Sequence, residues 1–350
     1  MIRLLIAEDS ATVREFLVQA LSADLEIEIA GTAKNGCEAV EMTKRLRPDV
    51  VVMDIDMPIM NGFEATKQIM IEVPTPIIII SATMDVRDVN VSMNALRVGA
   101  LALFEKPSGI GSPKVEESIR HLVSTIKAMA GVKLVRHWRE PSTPARLPPV
   151  AVVPPPSQVR IVAVAASTGG PAALARILSE MPAQFPVPIL AVQHIARGFI
   201  DGLASWLNTT CSLKVKVAED GEPLAPSTVY LAGDDLHMGV SPRSRIVLEG
   251  TPPIGGFRPS ATYLFESVSK IFGSSAVAVI LTGMGQDGVE GLRALRIAGG
   301  RILVQDESSS VVFGMPGATI VAGLADKVLP LSTIGPSLIQ MIGKTRARPI

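Results

Sequence analysis

Residues 161–173 read IVAVAASTGGPAA. An apolar, partly β-branched run leads to Ser167. Gly169 and Gly170 then permit a sharp turn, and Pro171 suits the first turn of a helix, where no backbone donor is required. The stretch reads as strand, tight turn, helix. Two later segments also end an apolar run in a chemical group: AVQHIARGF (191–199) with His194, and LTGMGQDG (281–288) with Asp287. Parallel α/β sheets hold their chemistry in the crevice beyond the carboxyl ends of their strands. If these runs share one such sheet, a serine, a histidine and an aspartate emerge along one edge. They are the residue types of a nucleophile, its base and the base's orienter.

The same rhythm continues on both sides. In the second half, strands are predicted at Ile161–Ala165, Val187–Val192, Leu213–Val217, Val229–Leu231, Ile246–Glu249, Val277–Leu281 and Ile302–Val304, with helices after Gly170, Gly198, Ser260 and Gly288. Residues 212–250 read as short strands with tight turns, including a hairpin. In the first half, strands are predicted at Leu4–Ala7, Ile27–Ala30, Val50–Met53, Ile77–Ile80 and Ala102–Phe104. Helices are predicted there at Ala11–Leu21, Cys37–Arg45, Gly62–Glu72, Val89–Val98 and Lys114–Met129. Such alternation predicts doubly wound parallel sheets, and five units fit the flavodoxin-like order 2-1-3-4-5. Between the halves lies PSTPARLPPVAVVPPPSQ (141–158), whose prolines remove donors and fix φ, making it a spacer. The expected fold class is α/β. A flavodoxin-like domain with a five-stranded parallel sheet spans 1–128, and a Pro-rich linker spans 129–158. A doubly wound, mostly parallel α/β domain with a β-hairpin spans 159–345.

The chain has 350 residues, 47 % of them hydrophobic, and a formal net charge of zero. That length supports two cores. The balanced charge argues against nucleic-acid binding and against an electrostatic membrane anchor. No apolar run reaches the roughly 20 residues of a membrane span, and MIRLLIAEDS meets two acids too early for a signal peptide. Cys37 and Cys211 have neither metal nor redox spacing and read as buried, reduced thiols. A cytoplasmic monomer is expected.

The first half carries an acid cluster. Glu8 and Asp9 follow the first strand, Asp54 ends the third with Asp56 just beyond, Ser81 ends the fourth, and Lys106 follows the fifth. Converging carboxylates repel unless a cation sits among them, and oxygen ligands of this kind suit Mg²⁺. A carboxylate beside Mg²⁺, a lysine and a hydroxyl is equipped to accept a phosphoryl group.

Each element of the second-half constellation has a rival reading. Ser167 alone is an adequate helix-capping serine. His237, in GDDLHMG, competes with His194 as base, whereas His121 falls on a surface helix and His137 at the linker. Gly283–Gly288 match GxGxxG between a strand and a helix, with Asp306 one βα unit later, so a dinucleotide site is a further possibility. Against that reading, an aspartate inside a pyrophosphate loop repels phosphate. The order Ser…His…Asp and the absence of a GxSxG elbow separate the chain from α/β-hydrolases.

Over nearly all of residues 1–128 the chain resembles response-regulator receiver domains. The resemblance implies phosphorylation at Asp54, Mg²⁺ held by Glu8, Asp9, Asp54 and the backbone carbonyl of Asp56, and phosphate contacts from Ser81 and Lys106. A histidine kinase would then be the phosphoryl donor. Leu103 stands where receivers often carry an aromatic switch residue. Residues 159–345 resemble the catalytic domain of chemotaxis protein-glutamate methylesterases, through ASTGGP, VQHIARGF, AEDGEPL, VYLAGDDLHM, RPSATYLFES, LTGMGQDG and QDESSSVVFGMP. The resemblance implies a Ser167, His194, Asp287 triad that needs no metal, with an oxyanion hole involving the Met284 N–H, to which the reading adds Thr168. Thr262 stands where the family often has an acid. The expected activity is phosphorylation-activated hydrolysis of glutamate methyl esters on chemoreceptors, releasing methanol, together with deamidation of receptor glutamines. The alternatives are a phospho-switched binding module with a vestigial esterase, and the dinucleotide enzyme.

Overall fold

Strands Ile2–Ala7 (β1), Ile27–Ala33 (β2), Val50–Asp54 (β3), Ile77–Ser81 (β4) and Ala102–Glu105 (β5) pair in parallel in the order β2-β1-β3-β4-β5. The computed structural model describes residues 1–81, 99–106, 113–130 and 159–343; the helix expected over 89–98 and the linker residues 131–158 lie outside the described residues. β3 and β4 are buried at every position, as unbroken apolar runs must be when helices cover both faces. Helices Ala11–Ser22, Gly36–Leu46 and Gly62–Glu72 open on Ser10, Asn35 and Asn61, whose side chains accept N–H groups of the first turn. Helix Pro113–Ala130 follows β5.

The second sheet has seven parallel strands: Ile161–Ala166 (β6), Ile189–Gln193 (β7), Lys214–Val217 (β8), Thr228–Leu231 (β9), Ala276–Ile280 (β12), Arg301–Gln305 (β13) and Lys327–Leu329 (β14). Their order is β14-β13-β12-β6-β7-β9-β8. His237–Val240 (β10) and Ile246–Glu249 (β11) form the antiparallel hairpin. Chain succession runs outward from β6 in one direction and returns to its other side at β12. The β6/β12 boundary is therefore a topological switch point, where open α/β sheets bind ligands. The equivalent point in the first sheet lies between β1 and β3.

Helices Gly170–Ser179, Ile200–Thr210, Ala261–Phe272 and Val289–Ile297 stand where expected, and Met315–Val321 and Leu331–Gly343 are added. β10 places His237 in a buried strand rather than in a turn. The cysteine expectation needs correcting, because Cys37 is exposed and Cys211 only partly covered. Cys37 shares the outward stripe of its helix with Glu41 and Lys44, opposite the buried Ala39, Val40 and Thr43. Among the described residues no helix is long and apolar enough to cross a membrane.

The two domains touch beside the β6/β12 edge. The Gly169 N–H donates to the Leu101 carbonyl at 3.1 Å. Ser124 Oγ lies 3.2 Å from Met284 Sδ. Val311 packs on the core of the first domain.

Candidate active site

β6, β7 and β12 deliver the three predicted side chains to one edge. Ser167 follows β6, its N–H donating to the Thr282 carbonyl at 3.0 Å and its carbonyl accepting the Gly170 N–H at 2.8 Å. Gly169 caps the following helix with φ 77°, a left-handed conformation that favours glycine. Gly283 is pressed against the serine: a Cβ there would stand 2.7 Å from Ser167 Cβ. The first glycine of GMGQDG therefore makes room for the serine.

His194 follows β7, with its N–H on the Ala166 carbonyl at 2.9 Å. Its imidazole stacks on Phe257, with centroids 4.2 Å apart and planes 9° from parallel. Nε2 lies 3.0 Å from Asp287 Oδ2. Neither ring nitrogen makes a full hydrogen bond among the described residues; with Nε2 turned to Asp287, Nδ1 faces away from the carboxylate. No pattern in the chain distinguishes the two nitrogens.

Asp287 is buried and fully engaged. Oδ1 accepts from Ser260 Oγ at 2.8 Å and the Thr262 N–H at 3.1 Å, and Oδ2 accepts the Ala261 N–H at 2.7 Å. The carboxylate thus sits at the N-terminus of helix Ala261–Phe272, where free N–H groups favour negative charge. Burial pushes its pKa up, but the His194 contact, the Ala261 N–H and the Ser260 hydroxyl outweigh that and hold it below the ordinary range. Thr262 has a structural task of its own: its Oγ1 accepts the Gly288 N–H at 2.9 Å.

The rival base is accounted for. His237 is fully buried, its Nδ1 accepts the Ser260 N–H, and its Nε2 faces the Pro252 carbonyl at 3.2 Å. Both nitrogens are committed to backbone, so His237 supports the segment that leads into Asp287's helix.

Thr168 and Met284 flank this centre. Thr282 Oγ1 donates to the Thr168 carbonyl at 2.9 Å and accepts the Val312 N–H at 2.9 Å. The Gly283 carbonyl accepts the N–H groups of Gly314 and Met315. Three loops are thereby tied beneath the serine. Sequence reasoning missed Ser260, Phe257 and Gln193. All three lie in or beside quoted motifs, but nothing in their spacing announces what they touch.

The second constellation lies at the β1/β3 edge. Lys106 Nζ bridges Glu8 Oε1 at 3.1 Å and Asp54 Oδ2 at 2.8 Å. Carboxylate oxygens of Glu8, Asp9 and Asp54 fall within 4.8 Å of one another. Glu8 Oε2, Asp54 Oδ1 and Ser81 Oγ are buried with no hydrogen-bond partner among the described residues. Burial, followed by the charge of Glu8, pushes the Asp54 pKa up to about 7 despite Lys106. Burial likewise raises Glu8. Unsatisfied buried oxygens of Glu8 and Asp54 beside the Asp9 carboxylate fit a hard divalent cation of the Mg²⁺ kind. The Asp56 side chain is exposed and outside the cluster. Leu103 is buried, and the neighbouring Phe104 ring lies 5.0 Å from that of His121.

Comparison with known proteins agrees with both halves. The response regulator receiver domain family matches residues 4–113, and the CheB methylesterase family matches residues 162–338. A Myxococcus xanthus relative named protein-glutamate methylesterase/protein-glutamine glutaminase 4 is 54 % identical over 344 residues, covering 96 % of each chain. A Rhizobium meliloti relative, the protein-glutamate methylesterase/protein-glutamine glutaminase of group 3 operon, is 45 % identical and covers 100 % of this chain and 98 % of its own. The crystal structure of the Thermotoga maritima CheB methylesterase catalytic domain is 39 % identical, with a TM-score of 0.52, covering 53 % of this chain and all of that one.

Proposed function

Because the chain belongs to the CheB methylesterase family and carries a receiver domain ahead of the esterase half, we propose that it is a receiver-controlled protein-glutamate methylesterase and protein-glutamine glutaminase working through Ser167, His194 and Asp287. The observation that carries the assignment of residues is the 3.0 Å His194–Asp287 pair at the switch-point edge, beside a serine turn for which Gly283 leaves room.

Ser167 Oγ attacks the γ-carbonyl carbon of a methylated receptor glutamate while its proton passes to His194 Nδ1. Asp287 supports the resulting imidazolium through Nε2–H. The backbone N–H groups of Met284 and Thr168 stabilise the tetrahedral oxyanion. Collapse breaks the C–OMe bond, and His194 protonates the leaving methoxide to methanol. Water, deprotonated by His194, then attacks the acyl-enzyme and frees the glutamate and Ser167. With a glutamine side chain the same sequence releases ammonia.

In the receiver, Asp54 takes the phosphoryl group of a histidine kinase, and Lys106 and Ser81 hold its oxygens. Glu8, Asp9, Asp54 and the Asp56 carbonyl would hold Mg²⁺, which would neutralise charge on the phosphoryl oxygens. Methylated chemoreceptors are the macromolecular substrate, and the protein works as a cytoplasmic monomer. The domain contacts at Gly169 and Met284 support a docked receiver that blocks a bulky substrate until Asp54 is phosphorylated. Methanol release from methylated receptor, measured with and without a phosphoryl donor, tests the reading. No methanol in either condition overturns it.

A further inference from the structure

We infer that Gln193 is a positioning residue for the esterase reaction: its side-chain amide fastens the nucleophile's peptide to the base's. Gln193 ends β7 opposite Ala166, the last residue of β6. The ladder between the two strands stops one residue on, where the His194 N–H meets the Ala166 carbonyl at 2.9 Å. Beyond that point the chains diverge, Ser167 turning into a helix and His194 into a loop. Backbone pairing no longer fixes one catalytic residue relative to the other.

The Gln193 amide takes over at that point. Nε2 donates to the Ser167 carbonyl at 2.8 Å and to the His194 carbonyl at 2.8 Å. One –NH₂ group has two hydrogens, and here each is given to the carbonyl of a different catalytic residue. The side chain is 2 % exposed, so it has no competing water-facing role. Its orientation is pinned as well, because the Oε1 atom lies against Gly170, where any Cβ would overlap it.

The remaining atom of the amide is unpaired. Oε1 is buried and has no hydrogen-bond partner among the described residues, and an orphaned buried acceptor costs free energy. An apolar side chain of similar length would remove that orphan but take the Nε2 donor from the Ser167 and His194 carbonyls. It could not bridge two carbonyls. Holding a nucleophile and its base at fixed separation is worth large factors in rate, and a displacement of about 1 Å can cost on the order of 10²-fold.

The inference rests on Ser167 and His194 being nucleophile and base, and the test separates the two. Full-length Gln193→Met and Gln193→Asn are assayed on methylated receptor with acetyl phosphate and Mg²⁺, beside Ser167→Ala. The amount of folded enzyme is fixed by near-UV circular dichroism. Asn keeps the amide but is one methylene too short to reach both carbonyls. The expected result is a fall in kcat of about 10–100-fold per folded enzyme in both variants. KM should be unchanged, and labelling of Ser167 by a fluorophosphonate correspondingly slower. A kcat within about twofold of the parent in either folded variant, less than the effect of one well-placed positioning contact, overturns the inference if Ser167→Ala is dead. Active Ser167→Ala instead overturns the underlying assignment of the nucleophile. If neither Gln193 variant folds, the residue serves the fold and the positioning role is refuted.

Discussion

The Oγ of Ser124 and the Sδ of Met284 meet at 3.2 Å across the boundary between the receiver and the esterase. Met284 is the residue whose N–H we assign to the oxyanion hole, so the receiver holds the side chain of a residue in the reaction machinery. A bulky residue at the first position should wedge the domains apart. Ser124→Trp is expected to raise methanol release by the unphosphorylated chain several-fold and to shrink the response to donor. Unchanged basal release would place the inhibitory contact elsewhere.

The same contact predicts the behaviour of the isolated catalytic half. A chain beginning at Val159 should hydrolyse methylated receptor without donor, at a rate above that of the unphosphorylated full chain. Equal rates would mean that the docked receiver does not block the site, leaving it a role such as bringing the enzyme to its receptor.

His194 and His237 should separate activity from stability. Ser167→Ala and His194→Ala should each lower kcat by on the order of 10⁴–10⁶ with little change in Tm. His237→Ala removes a ring whose nitrogens both face backbone atoms. It should cost about 2–4 kcal/mol of stability while leaving kcat per folded molecule near the parent value. Thermal unfolding and turnover measured on one preparation decide the matter.

Asp287→Asn should be worse than a simple tautomer error. Each carboxylate oxygen accepts a backbone N–H, from Thr262 or from Ala261. Whichever way the amide turns, its –NH₂ faces a donor. A loss of up to about 10⁴ in kcat should be joined by a lowered Tm. A dinucleotide site would instead respond through NAD(H) affinity with hydrolysis untouched.

Asp54 links phosphorylation to pH-dependent stability. Its folded pKa, about 7, lies above the ordinary carboxylate value. The folded state therefore binds more protons than the unfolded state between roughly pH 4 and 7, and stability falls as pH rises through that window. With chelator present at pH 8, Asp54→Asn should raise the receiver's Tm by a few degrees. It should also abolish the response to donor. Chelation alone should silence that response in the parent.

The parts of this molecule legible from its sequence are those with a period or an edge. Strand ends located Ser167, His194 and Asp287, and likewise Glu8, Asp54, Ser81 and Lys106, because a parallel sheet turns the end of a run into an address. β10 was missed because HMGV is four residues long and follows turn-forming residues. Helix Leu331–Gly343 was missed because Pro336 lies inside it, and Met315–Val321 because seven residues are too few to show a helical period. The choice between His194 nitrogens, and the tasks of Gln193 and Ser260, depend on side chains reaching backbone atoms far along the chain. No local pattern records that.

Asp287 anchors the first turn of helix Ala261–Phe272 as well as facing His194, whereas among the described residues no comparable structural duty falls on the hydroxyl of Ser167. The two residues are thus exposed to different selection. A lineage that abandoned hydrolysis would still be held to the aspartate by the need to fold, while the serine would be free to drift. In descendants of this chain, the aspartate alone would therefore be a poor marker of retained activity, and the serine the position to inspect first.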